Sequence, residues 1–333
     1  MTNSLIGSAA AVLLSLSFLT GPAKAEEAMP GLPAIQRPFA KLPRVATFPV
    51  ATLDSDWVAI APDAVWVAGK GPDIVRRIDA ATNTETASAI LPGAACAGLA
   101  FGFDSLWVPI CGTEAYSVVR IDNASGRIIA TVPMGPPAEG GIAAGKDAVW
   151  FVVDGSTLVA IDPTTNAPTR RIAIPAGSHV PIVNGDTVWV TSTTENLVTA
   201  VNAATGEVIG TTPTGPKPHF LAAGDGSVWT LNQGDGTVTR IDAATRQVTA
   251  TIPLGLARKG GDIAYDDGLL VVTQVGVPIT AIDAKSDKPL VQWVGPGGDS
   301  LRVGHGAIWL TDYLAGTLIR IDPKAAAGGK SRK

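Results

Sequence analysis

The chain has little charge: Asp, Glu, Lys and Arg make up 16% of its 333 residues, the formal net charge is -4, and the pI is near 5.4. It lacks the basic surplus, and the basic stripe interleaved with aromatics, that a nucleic-acid binder shows, so that class is excluded. Long helical patterns of 3.6-residue period are missing, and no apolar run reaches the about 20 residues that span a bilayer. Cysteine is scarce, with two residues, and so are histidine, with three, and aromatics, at 5%. Eight of the eighteen aromatics are Trp, which points to a repeated task for that residue. What is abundant is glycine (37) and proline (25) without collagen spacing, beside plentiful Leu, Ile and Val. That mixture suits many short strands joined by tight turns.

Residues 5–19 form an interrupted apolar run followed by Gly21, Pro22 and Ala23-Lys24-Ala25. This is the pattern of a secretory signal peptide cleaved after Ala25, with no Cys at the cleavage site for a lipid anchor. Residues 1–25 are therefore expected to be removed, which takes the formal charge to -5. A periplasmic or secreted product follows, in a compartment that permits a disulfide.

Self-comparison reveals one motif seven times: DAVWVAG (63–69), DSLWVPI (104–110), DAVWFVV (147–153), DTVWVTS (186–192), GSVWTLN (226–232), GLLVVTQ (268–274) and GAIWLTD (306–312). Six copies carry Trp at one place (66, 107, 150, 189, 229 and 309), and the sixth copy has Val271 instead. Successive spacings are 41, 43, 39, 40, 42 and 38 residues. A second motif of the Arg-Ile-Asp type follows each, with its Asp or Asn at 79, 122, 162, 202, 242, 283 and 322. A β-branched segment ending in Pro or Gly, such as IATVPMG (129–135), completes most units. Units of about 40 residues with four short strands predict an all-β, seven-bladed β-propeller with four-stranded antiparallel blades. The Trp series is read as packing between blades and the Asp series as turn capping.

The seventh unit has three strands and no fourth. RVATFPVA (44–51) has the fourth-strand pattern and stands ahead of the first inner strand. The N-terminal strand is therefore predicted to close the last blade, leaving no open edge. The expected organisation is a Pro-rich tether at 26–42, the propeller at 43–323 and a flexible basic tail at 324–333. In blade two, a two-residue loop at Phe103-Asp104 makes paired positions sum to 207. Cys96 and Cys111 meet that sum, so they are expected directly opposite each other and bridged.

Counting back ten residues from each Trp, or from Val271, aligns the loops that lead into the inner strands: Asp56, Ala97, Gly140, His179, His219, Gly261 and Asp299. Glu139, Lys217, Arg258, Lys259 and Asp262 lie beside them. His179 and His219, in adjacent blades, are candidates for acid–base chemistry. Asp56, Asp299 and Asp262 are candidate oxygen ligands for a hard cation such as Mg2+ or Ca2+. Glu139, Lys217, Arg258 and Lys259 are candidate ligand-binding groups, the cations among them for an anionic group. His305, in a short Gly-His-Gly turn on the far side, is expected simply to be exposed.

The segment GPKPHFLAAGDGSVWTLNQGDGTVTRIDAAT (215–245) resembles the repeat of virginiamycin B lyase, the streptogramin lyase, and of YVTN-type bacterial propellers, and the resemblance extends over 43–323. It implies a seven-bladed propeller. For the lyases it implies opening of a cyclic depsipeptide by β-elimination at its ester, with Mg2+ and a His handling protons. The family pattern has aligned His residues in two adjacent blades, which His179 and His219 match, and a Glu two positions before the second, where this chain has Lys217. Two functions are therefore expected. One is a monomeric, non-catalytic exported propeller that binds a small molecule, peptide or protein at the channel mouth. The other is a metal-assisted lyase or hydrolase acting on an ester or lactone.

Overall fold

In the computed structural model, residues 31–112, 115–257 and 260–329 are described. Seven antiparallel sheets follow one another along the chain. Blade one spans 55–90, blade two 94–134, blade three 137–173, blade four 178–213, blade five 218–253 and blade six 262–294. Blade seven is built from Leu301–Gly304, Ala307–Asp312 and Thr317–Ile321, with Arg44–Pro49 as its outer strand, antiparallel to Thr317–Ile321. The ring thus closes as the repeat count predicts.

The repeated residues explain the stacking. The six Trp side chains of the second strands are almost wholly buried. In blades two, five and seven the Arg of the third strand lies over that Trp, with Arg120, Arg240 and Arg320 at 4.9, 5.5 and 5.0 Å from the ring centroids. The same guanidinium groups reach the next blade: Arg240 Nη1 donates to the Ala284 carbonyl at 3.0 Å, and Arg320 Nη1 donates to the Ala80 carbonyl at 2.8 Å. One side chain therefore binds a Trp by cation–π attraction and ties two sheets together. All seven Asp or Asn residues of the second motif accept backbone N–H groups from their own turns, as Asp79 does from Ala81 and Thr82 and Asn202 from Ala204 and Thr205. In blades one to six these are Asx turns that set the third-to-fourth strand connection; in blade seven Asp322 instead caps the helix that follows the third strand.

Cys96 and Cys111 are bridged, with Cα atoms 5.8 Å apart. The register differs from the expected one. Ala100↔Trp107 and Gly102↔Ser105 keep the sum of 207, but Ala94↔Cys111 and Ala95↔Ile110 follow a sum of 205. Two extra residues between Ala95 and Ala100 displace the strand start, so Cys111 faces Ala94 and Cys96 reaches it on the diagonal.

The segment expected as a tether is ordered from residue 31. Gln36–Pro38 pairs in parallel with the outer strand of blade six, and Phe39 and Leu42 are buried against that blade. Arg37 lies over Trp293 at 5.7 Å. The start of the expected tail forms a short helix, Pro323–Ala326, capped by Asp322; Ala326 and Ala327 are buried, and the Ala326 carbonyl accepts from Trp293 Nε1 at 2.7 Å. The two described ends, from residue 31 and up to residue 329, thus pack on blades six and seven; the signal peptide expected at 1–25 and residues 330–333 lie outside the described residues. His305 is half-buried and contacts the Ala61 carbonyl at 2.8 Å through Nε2, bridging blade seven to blade one. Among the described residues no helix is long and apolar enough to cross a membrane.

Candidate functional site at the channel mouth

The inner strands do not run straight into the channel mouth. In blades one, four and five the ladder slips by one residue, between Asp56 and Val58, between Ser178 and Pro181, and between Pro218 and Leu221. Two extra residues do the same in blade two and three in blade three. A bulge frees residues from the ladder and turns the strand. It lies at the aligned position ten before the Trp, which is why ionisable side chains there turn toward the mouth. Trp57, in the bulge of blade one, adopts the left-handed region at φ 54°. The glycines at this position in blades three and six are required by the backbone. A Cβ on Gly140 would meet Val180 Cγ2 at 2.7 Å, and one on Gly261 would meet the Thr273 carbonyl oxygen at 2.1 Å, both at positive φ.

Threonines two residues after the Trp position, or after Val271, tie the strand entries of neighbouring blades together, a role that sequence reading missed. Thr191 Oγ1 donates to the His219 carbonyl at 2.7 Å and accepts from the Val180 N–H at 3.2 Å, joining blades four and five. Thr273 Oγ1 donates to the Asp299 carbonyl at 2.5 Å, joining blades six and seven.

On one side of the mouth His179, His219 and Glu139 converge. The imidazole centroids are 4.5 Å apart, and His219 Nε2 is 3.5 Å from Glu139 Oε2. His219 also stacks on Phe220 at 4.5 Å. His179 Nδ1 is buried without a hydrogen-bond partner, whereas His219 has Gln233 and the Glu139 backbone within reach. Burial, then the neighbouring His179, drives His219 down to about 3, although contacts with Gln233 and the Glu139 backbone pull it up. Burial lowers His179 too. Both rings are therefore neutral at neutral pH.

Aspartates occupy the other side. Asp56 Oδ1 accepts from Ser300 Oγ at 2.6 Å and from the Trp57 N–H at 2.7 Å. Asp262 is fully buried; it forms an ion pair with Arg302 and accepts the N–H groups of Ile263 and Leu301 at 2.8 and 3.1 Å. Asp299 adjoins both through Ser300 and Leu301. Burial, followed by Asp56, Asp262 and Glu139, pushes Asp299 up to about 7. Burial also raises Asp56, with Asp262 adding to the rise against the lowering contacts of Ser300, Trp57 and Lys70. Glu139 is raised by burial and then by Asp56. The three aspartates thus share one low-dielectric mouth with the more exposed Glu139 beside them, and together hold fewer negative charges than their number implies.

Asp262 is committed to Arg302 and two backbone groups, and Asp56 to Ser300 and Trp57. Among the described residues no group of three His, Cys, Asp or Glu side chains is placed to hold a metal ion. Lys217 stands exposed on the rim at φ 54°, its N–H donating to Asn196 Oδ1 at 2.8 Å. Arg258 and Lys259 lie outside the described residues. Deeper in the channel, a cavity of about 300 Å3 is lined by Leu99, Ile142, Val180 and Leu221 together with the Asp262–Arg302 pair.

Residues 114–236 match the PQQ_2 family, described as outer membrane protein assembly factor BamB. The matched stretch runs from blade two into blade five. Among solved structures, the crystal structure of BamB from Moraxella catarrhalis superposes with a TM-score of 0.60 at 13% identity, covering 84% of this chain and 96% of that chain. That likeness is one of fold. No curated protein matches the chain.

Proposed function

We propose that this chain is an exported propeller that binds a protein or peptide partner at the mouth lined by His179, His219, Glu139, Asp56 and Asp299, without turning it over. The observation that carries the reading is the concentration there of ionisable groups and a buried, unpartnered imidazole nitrogen, His179 Nδ1, on an otherwise bland scaffold. Such convergent polar groups in a concave site are what a ligand satisfies. The disulfide fits an extracytoplasmic compartment, in line with the signal-peptide pattern. The likeness to a protein described as an assembly factor supports a protein as the partner.

A second reading, a lyase or hydrolase of the streptogramin-lyase type, is favoured by one observation, the convergence of Glu139, His179 and His219. The electrostatics weigh against it. A base held near 3 has little driving force for taking a proton at neutral pH, where catalytic bases are tuned close to the working pH. The position that the lyase pattern gives to Glu is the exposed Lys217.

A photo-crosslinking residue at position 314 on the mouth and, separately, at 129 on the outer rim tests the binding reading in cells. Adduct formation at 314, absent at 129 and lost in a His179→Ala/His219→Ala variant of unchanged Tm, is expected. Equal adducts at both positions would sink it. Turnover of an ester or lactone panel with Mg2+, abolished in the same double variant, would establish the lyase reading instead.

A further inference from the structure

The mouth continues outward into a second feature. Between blades six and seven a pocket of about 550 Å3 is walled by Val275, Pro296, Tyr313 and Leu314, with Asp299 and Asp312 at its polar edge. Leu314 is 88% exposed and Val275 55%. Large aliphatic side chains exposed on loops that rim one pocket mark an interaction surface rather than scattered apolar residues. Asp299 belongs to this pocket and to the carboxyl group of the mouth, so an apolar recess and an acidic one share a wall.

Charge defines the occupant further. Asp299 and Asp312 line this pocket and Asp56 and Glu139 act on Asp299 from the mouth, whereas Lys70 is paired with Asp54 at 3.4 Å and Arg302 with Asp262. An independent sign of a ligand comes from His179, whose Nδ1 is buried without a hydrogen-bond partner beside His219, the ring centroids 4.5 Å apart. A main-chain amide reaching that depth would satisfy it.

We propose that the occupant is an extended segment of a partner protein in which a large apolar side chain stands next to a lysine or arginine. The apolar side chain fills the recess beside Leu314 and Val275, and the cation enters the carboxyl group of Asp299, Asp56 and Glu139. This rests on the mouth being a binding site and adds the chemistry of what binds. Burying an aliphatic anchor beside a desolvated charge pair is the arrangement found at interface hot spots.

The test uses a phage-displayed random heptapeptide library panned on the mature protein, with selected peptides resynthesised and titrated against wild type, Leu314→Ser and Asp299→Asn. Leu314 is exposed, so its replacement leaves folding intact, and Tm verifies this for both variants. Enriched peptides are expected to place Lys or Arg within two residues of Leu, Phe or Met. Leu314→Ser should weaken them about tenfold and Asp299→Asn about fivefold, equivalent to roughly 1.4 and 1 kcal/mol. Peptides weakened by both variants but lacking the apolar–basic pair overturn this chemistry and leave the mouth as a binding site. Selection of a small-molecule amine over any peptide in a competition assay also overturns it. Peptides indifferent to both variants and to His179→Ala/His219→Ala overturn this inference and the mouth reading together.

Discussion

On the side of blades six, seven and one the mouth is made of aspartates; on the side of blades three to five it is made of histidines with one glutamate. Burial acts on both in the same sense, against the charged form, but with opposite consequences. It lifts Asp299 to about 7 and drops His219 to about 3. The aspartate side answers by hydrogen bonding and by pairing Asp262 with Arg302, whereas the histidine side leaves His179 Nδ1 unsatisfied. One side is stitched into the fold and the other is left for something else to complete.

The comparison can be broken most severely at Asp262. Replacing it by Leu strands the Arg302 guanidinium beside buried apolar walls, and urea denaturation should show a loss of about 3 kcal/mol. An equally stable variant would mean that the aspartate side is not stitched in. Blade two separates the two sides with an uncharged position, Ala97, beside the disulfide. Cys96→Ser/Cys111→Ser should cost close to 3 kcal/mol from the 15-residue separation, and Tm profiles should keep both pH limbs described next.

Those limbs have opposite signs. Asp299 has a folded pKa raised above its unfolded value of 3.8, so its contribution is fully present below about pH 4 and is lost as pH rises through about 7. Asp299→Asn should flatten that limb in a series of thermal melts and stabilise the protein at pH 8 by about 2 kcal/mol. His219 has a depressed folded value, so its contribution is present above about pH 6.5 and is lost as pH falls toward about 3. His219→Phe should remove the acid limb, while changing stability at pH 8 by less than about 1 kcal/mol because a ring of similar shape retains the stack on Phe220. If either substitution removes the other's limb, the two sides titrate as one unit.

The periodic features were readable before the structure. Trp66 and its five counterparts, the Asp79 series and the strand at 44–49 recur or complete a recurrence, so each copy corroborates the others. The aligned position ten before the Trp also found Asp56, His179 and His219, because the bulges fall at nearly the same place in blades one to five, and Asp299, which precedes the inner strand of blade seven. What escaped was local and unrepeated. The two-residue slip between Ala95 and Ala100 changes a register without changing any motif. The Asp262–Arg302 pair joins residues 40 apart on neighbouring inner strands, and nothing in either segment marks the other. Gln36–Pro38 adds a parallel strand through three residues that include a proline, too few to show a period. The apolar recess at Leu314 arises from loops of two blades and has no sequence pattern of its own.

The seam in blade seven has a temporal meaning. Apart from the short Gln36–Pro38 strand, residues 44–49 leave the ribosome before every other strand of the ring, and their partner, 317–321, is the last strand made. The earliest piece must stay uncommitted while six sheets assemble, and closing so long a loop is slow by nature. Until that moment the growing arc has two raw flanks, and a chaperone or a neighbouring chain could clasp either one.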